Sequence, residues 1–269
     1  MKFSASILKL VLILFILFAL FIWQGIYLPE NTKGKELKFS VEKGQNVFEI
    51  GDNLKEQGLI KNSFFFSSYA LVSGNAAKLK AGDYLLSPSL NVANVVQKIA
   101  SGDTATITVT IPEGFTVSQI EERLGVQLSR DLEGFLFPDT YKFPLGVSAK
   151  EVAEIMQENF NRKLTEDLKE EIENQGKTIH QIITMASMIE REVITKEDKE
   201  LVAGILWKRL ENEVPLQVDA TIRYITGKQT AKISIQETQI DSPYNTYKYL
   251  GLPEGPISNP GLESIQSAV

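Results

Sequence analysis

Residues Thr178 to Val193 read TIHQIITMASMIEREV. Wound as a helix at ~100° per residue, this stretch brings Ile179, Ile182, Ile183, Ala186, Ile189 and Val193 onto one face. A face of that kind has to be buried, so the segment is expected at the heart of a packed domain. Glu190 falls roughly 50° from the centre of the face, Glu192 lies ~110° away and Arg191 is nearly opposite. One carboxylate is thereby turned toward the packed side, where an apolar setting favours the neutral form that a general acid needs. The helix alone leaves a second reading open: a buried Glu paired with a structural cation, with Arg209 or Arg223 as the candidates. His180, on the first turn, is expected to be exposed or capping.

Outward from this segment, helices are predicted over Ser148 to Arg162, Glu166 to Asn174 and Glu197 to Asn212 from the same periodicity. Thr104 to Ile111 (TATITVTI) alternates strictly, as a half-buried strand does, and Pro112-Glu113-Gly114 ends it. Ser118, with Glu121 three residues on, has the pattern of a helix-capping box. Past Pro215 the chain becomes rich in Gly, Pro and Asn, fitting rigid loops that line a groove. Tyr244, Asn245 and Tyr247 in those loops suit carbohydrate, because ring faces stack on sugars and amides bond hydroxyls; tyrosines packed under a loop are the alternative. Upstream, residues 37–103 follow a β-α-α-β-α pattern closed by a C-cap at Ser101-Gly102. That module is read either as a binding unit or as a spacer.

Leu10 to Leu28 is apolar apart from Gln24 and Gly25. Nineteen helical residues span roughly 28 Å, close to the thickness of a bilayer core. Lys2 and Lys9 precede the run and Glu30 follows it, which places the N-terminus in the cytoplasm. No A-x-A-like cleavage site follows, so an uncleaved signal anchor is expected rather than a removed leader. The division is therefore a cytoplasmic stub and anchor (1–28), a polar linker (29–36), the small module (37–103) and a larger domain (104–269).

The 269 residues carry 28 Lys and Arg against 34 Asp and Glu, a net charge of -6, with one histidine and no cysteine. An acidic balance disfavours nucleic acid as a partner. Zinc clusters, disulfides and thiol nucleophiles are excluded by composition, and chemistry is left to carboxylates. No phosphate-binding glycine loop and no cluster with catalytic-metal spacing is present, so neither cofactor nor metal is expected. Glu133, Asp139 and Asp219 are candidates for the second carboxylate of an ordinary glycosidase, and Asp139 before Thr140 also fits a turn cap.

Ala186-Ser187-Met188-Ile189-Glu190-Arg191-Glu192 resembles the A-S-[IL]-[VI]-E-[KR]-E segment of the MltG-like (YceG-like) endolytic lytic transglycosylases of bacterial cell walls. Four further segments agree in order and spacing: Leu132-Glu133-Gly134-Phe135-Leu136-Phe137-Pro138-Asp139-Thr140-Tyr141, Leu216-Gln217-Val218-Asp219-Ala220-Thr221, Ser242-Pro243-Tyr244-Asn245-Thr246-Tyr247 and Leu252-Pro253-Glu254-Gly255-Pro256-Ile257-Ser258-Asn259-Pro260-Gly261. The resemblance implies an α+β fold: one transmembrane helix, a LysM-like module at 37–103 and a mixed α+β catalytic domain. It implies that Glu190 protonates the oxygen between N-acetylmuramic acid and N-acetylglucosamine, then takes the proton of the muramyl 6-hydroxyl as that oxygen closes onto C1. A 1,6-anhydro end results, and one carboxylate suffices. Gln217, Tyr244 and Asn245 become candidates to ease charge in the transition state, and Asp219, Tyr247, Ser258 and Asn259 join them as substrate-binding residues. The implied partners are glycan strands of peptidoglycan and the peptidoglycan synthases, at the bacterial cytoplasmic membrane with the catalytic domain outside. Ala220 stands where many relatives have Pro, and Lys208 where they have Asn. The chain stops at Val269, in a helix expected to begin after Pro260, where family members continue; a truncated chain is the expectation. A water-using muramidase and a non-catalytic wall-binding scaffold are the rival functions.

Overall fold

The computed structural model describes residues 5–228, 230 and 232–269. Among them are eleven α-helices and four short strands, a mixed α+β chain. It divides into two compact units, the first running to Ile107 and taking in Pro144–Gly146, the second formed by Thr108–Phe143 and Val147–Val269.

The first unit opens with α1 (Ala5–Tyr27), in which Lys9–Tyr27 is long and apolar enough to cross a membrane. Lys2, which the orientation argument uses, lies outside the described residues. β1 (Leu37–Val41), α2 (Val47–Glu56), α3 (Ser63–Val72), β2 (Gly82–Leu86) and α4 (Val92–Ser101) then follow in the expected β-α-α-β-α order. The two strands are antiparallel, with Phe39 opposite Tyr84 and Leu37 opposite Leu86. Their period of two sets Phe39, Val41, Tyr84 and Leu86 against Ile50, Leu54, Val95, Val96 and Ile99 in one core. At Gly25 a Cβ would fall 2.4 Å from the Phe65 ring, so only glycine lets α1 close on α3 there. Asn91 caps α4 by accepting from the Asn94 N–H, and Gly102 ends it in the left-handed conformation.

β3 (Thr106–Thr110) pairs with β4 (Thr140–Pro144) as a two-stranded ribbon, most of whose residues belong to the second unit. The strict alternation of Thr104 to Ile111 is only partly realised: Ala105 and Ile111 are buried and Val109 half-buried, while Ile107 on the same side is exposed. A ribbon of two strands has too little cover to use the pattern. Helix α5 (Val117–Leu124) is capped by Thr116 and Gln119 rather than by Ser118 and Glu121. The Thr116 hydroxyl accepts from the Gln119 N–H and the Gln119 side chain accepts from the Thr116 N–H, while the Ser118 hydroxyl is taken by Arg130. α6 (Ala149–Lys163), α7 (Glu166–Asn174), α8 (Ile179–Glu192) and α9 (Lys196–Glu211) agree with the periodicity within a residue or two. α10 (Asp219–Thr226) forms where only loop was expected, and α11 (Leu262–Ala268) follows Pro260 as expected. α8 is buried on every side from Ile182 to Ile189, not on one face. Its small polar residues, Thr184 and Ser187, turn their hydroxyls onto backbone carbonyls of the helix itself. The surrounding core includes Phe160, Leu168 and Ile172 before it, and Ala203, Leu206, Ile265 and Ala268 after it.

Candidate active site

Glu190 stands in the last turn of α8, its side chain 9% exposed. Its Oε2 accepts from the Gly261 N–H at 2.9 Å and from the Ser264 hydroxyl at 2.7 Å. The Lys199 ammonium lies 3.6 Å from Oε1 and 3.2 Å from Glu263. The apolar setting expected for Glu190 is thus replaced by a ring of donors. The cation is also not one of the two expected. Arg209 donates to the carbonyls of Pro215 and Leu216, and Arg223 pairs with Glu192 at 3.3 Å. Lys199 escaped the sequence reading because Lys196-Glu197-Asp198-Lys199-Glu200 has the look of a solvated helix face, whereas this one lysine is 3% exposed. Gly261 and Ser264 come from the start of α11, distant in sequence; Gly261 ends the quoted segment 252–261 but nothing there points to its amide, and Ser264 lies beyond it.

The turn Pro112–Phe115 lies across Glu190. Gly114 adopts φ +72°, and a Cβ on it would approach Glu190 Cγ at 3.4 Å and Arg191 Cδ at 3.3 Å. Arg191, expected to point away, folds back and donates to the Gly114 carbonyl at 3.1 Å. On its other side the turn is fastened to Asn259: the Gly114 N–H donates to the Asn259 carbonyl, and the Asn259 N–H and side-chain amide both donate to the Phe115 carbonyl. Asn259 Oδ1 accepts from the Leu136 N–H at 2.9 Å. One asparagine thereby joins three segments around the acid. The Glu113 carboxylate is laid against Gly261, where a Cβ would fall 1.9 Å from Glu113 Oε1.

The other expected site residues sort into two kinds. Gln217 is exposed, with an unusual positive φ of 54°, and its N–H donates to the Thr246 carbonyl. Asp219 opens α10 and accepts from the Tyr247 hydroxyl. Burial first, then that carboxylate, push Tyr247 up to about 12. Tyr244 is half-buried, its ring 5.1 Å from that of Tyr224. These four are exposed or partly exposed, and Glu192 ties the start of α10 to α8 by accepting from the Ala220 N–H at 2.9 Å.

Asn245, Ser258 and Asn259 differ, being at most 1% exposed. The Asn245 amide donates to the carbonyls of Thr238 and Ile240 and accepts from the Tyr247 N–H. The Ser258 hydroxyl donates to the Ser187 carbonyl. Their polar atoms are spent inside the protein, so these three hold loops in place and present nothing to a ligand.

Among the remaining acids, Glu133 is 5% exposed. It accepts from the Val117 N–H at the start of α5 and from the side chains of Asn259 and Tyr224. Burial pushes it up to about 7. Asp139 accepts from the Thr140 N–H and the Asn159 amide, the turn-capping role expected, with Lys163 at 3.7 Å. His180 is exposed, its ring stacked on Phe135. Among the described residues no group of three His, Asp or Glu side chains is arranged to hold a metal ion.

The chain is similar to known proteins. A family model described as the YceG-like family matches residues 39–269. Proteins named endolytic murein transglycosylase from Streptococcus pneumoniae (strain R6) and Bacillus subtilis (strain 168) are each 30% identical to this chain. The matches cover 90% and 89% of the chain, and 54% and 77% of those two proteins. The chain thus spans about half the length of the pneumococcal relative. A 2.6 Å crystal structure of a yceG-like protein from Listeria monocytogenes is 30% identical, with a TM-score of 0.57 over 87% of this chain and 90% of that one.

Proposed function

This chain belongs to the YceG-like family, and from that membership we propose that it is a membrane-anchored endolytic lytic transglycosylase of peptidoglycan. The observation that carries the proposal is the position of Glu190, nearly buried, ringed by Gly261, Ser264 and Lys199, and overlain by the Gly114 turn. The names of the relatives in Streptococcus pneumoniae and Bacillus subtilis support the substrate and reaction class. The bond cleaved joins N-acetylmuramic acid to N-acetylglucosamine within nascent strands, and strand elongation is terminated. The muramyl 6-hydroxyl closes onto C1 in place of water. One proton has to reach the leaving oxygen and one has to leave the 6-hydroxyl, and a carboxylate that acts as acid and then as base suffices for both. Gln217, Asp219, Tyr244 and Tyr247 line the glycan path, while Asn245, Ser258 and Asn259 position the loops that carry it.

The apolar stretch Lys9–Tyr27 is the anchor, in the bacterial cytoplasmic membrane with the catalytic unit outside. Residues 37–103 act as a LysM-like glycan-holding module, and peptidoglycan synthases supply the nascent strands. The test is digestion of uncrosslinked peptidoglycan by the purified chain and by Glu190→Gln, with products weighed by mass spectrometry. Internal fragments ending in 1,6-anhydromuramic acid, absent with the variant, are expected. Reducing ends identify a water-using muramidase instead, and intact glycan with a folded chain identifies a scaffold.

A further inference from the structure

Two carboxylates flank a single residue, Gly261. Glu190 approaches its amide side, and Oε2 there accepts two hydrogen bonds while Lys199 stands 3.6 Å from Oε1. Glu113 approaches its Cα side, with both oxygens and Cδ within 2.8 Å of where a Cβ would be. The two surroundings are opposite in kind. Glu190 accepts from the Gly261 N–H and the Ser264 hydroxyl and faces the Lys199 ammonium, and its side chain is 9% exposed. Glu113 is exposed and, among the described residues, has no hydrogen bond or ion pair, so its carboxyl is free to reach a ligand.

The turn that carries Glu113 is also held firmly. Gly114 and Phe115 are stapled to Asn259 on one side, and Arg191 grips the Gly114 carbonyl on the other. A surface glutamate with no task needs no such mounting beside an active carboxylate.

We propose that Glu113 is a second catalytic carboxylate, the one that protonates the leaving-group oxygen, while Glu190 receives the proton of the attacking hydroxyl. This rests on the transglycosylase reading and revises it at one point: the two proton transfers that a single carboxylate could perform in turn are divided between two. The Glu113 carboxyl gives its proton to the bridging oxygen as the C1–O bond breaks and that bond's electron pair stays on oxygen. The muramyl O6–H loses its proton to Glu190 as O6 bonds to C1. Glu113 ends as a carboxylate and Glu190 as a carboxylic acid, and exchange with solvent restores both. Partial desolvation of the carboxyl and, next, the Glu190 charge push Glu113 above the usual carboxylate range, with Glu263 adding to the rise and the Lys199 ammonium opposing it, a direction that suits a proton donor.

The experiment compares the full chain with Glu113→Gln, Glu113→Asp and Glu190→Gln on two substrates. One is the natural uncrosslinked strand; the other is a strand whose muramyl C1 carries 2,4-dinitrophenol, a leaving group that needs no proton. Glu113→Gln is expected to lower cleavage of the natural strand by about 100-fold or more and to lose less than about tenfold on the aryl substrate. Glu113→Asp recovers part of the loss, and Glu190→Gln fails on both. The wild-type rate on the natural strand falls as Glu113 ionises at rising pH, and the aryl rate does not. Equal losses on both substrates, or a Glu113→Gln chain active within about threefold of wild type, overturn the inference alone. A folded wild-type chain that cleaves neither substrate overturns the transglycosylase reading and this inference with it.

Discussion

Replacing Lys199 with Met keeps the length and most of the volume of the side chain while removing its ammonium, so the effect isolates the charge. At 3.6 Å from Glu190 Oε1, and with an effective dielectric of 20, the gross attraction is about 4–5 kcal/mol. Removing one partner of a buried pair generally destabilises by about 3–5 kcal/mol. Glu190 keeps its bonds from Gly261 and Ser264, and Glu263, at 46% exposure, returns to water; both place the loss near the lower end, about 3 kcal/mol. For a unit of this size that lowers the melting temperature by about 6–12 °C. The assay is thermal unfolding of the detergent-solubilised chain at pH 7, repeated in a Glu190→Gln background. There Lys199 retains only the half-exposed Glu263, and Lys199→Met should cost about 1 kcal/mol or less. An equal loss in both backgrounds, or a loss under about 1 kcal/mol in the wild type, refutes the view that this lysine exists to hold Glu190.

Glu133 binds its proton more tightly folded, at about 7, than its ordinary 4.5. Its contribution to stability is therefore complete below about pH 4.5 and declines by up to about 3 kcal/mol as pH rises through 7. Urea titrations across that range should show the decline in the wild type and not in Glu133→Gln; parallel curves would refute it. Gly114→Ala forces a left-handed φ on an L-residue at about 1–2 kcal/mol. It also crowds Glu190 Cγ, so turnover on glycan strands should drop about tenfold or more while the fold persists. Asn259→Ala strands the buried Leu136 N–H and takes a side-chain donor from both the Phe115 carbonyl, which keeps the backbone N–H, and Glu133, so the urea midpoint should report a loss of about 1–3 kcal/mol. A near-neutral midpoint would show that the asparagine staples nothing.

What could be read from the sequence was what neighbouring residues decide among themselves. The helical spacing of α8, the β-α-α-β-α order of residues 37–103 and the Gly102 cap of α4 are local, and each appears where expected. The small helix α10 was not legible. Its eight residues sit amid turn-forming sequence, and its start is stabilised by Glu192, a residue 28 positions upstream. Of the site, Glu190 was visible because its own helix aims it. Lys199, Gly261, Ser264 and Glu113 were not, because only the folded chain brings α9, α11 and the Pro112–Phe115 turn to it. Asn245 and Asn259 show a further limit: an amide reads the same in sequence whether it serves a ligand or a loop, and burial alone separates the two roles.

The bond between Asn259 and Phe115 joins residues 144 positions apart, and Glu190 is reached by Gly261 and Ser264 across 71 and 74 positions. Loops of that length close late, after local helices have formed and only when their ends meet. Chemistry at Glu190 is consequently all-or-none with respect to folding of the second unit. A chain still being synthesised, or one partly unfolded by damage, carries Glu190 on an intact α8 and yet lacks the donors and the Gly114 turn around it. Loss of the proposed activity should therefore track loss of structure in the second unit, without a partly folded form that retains it.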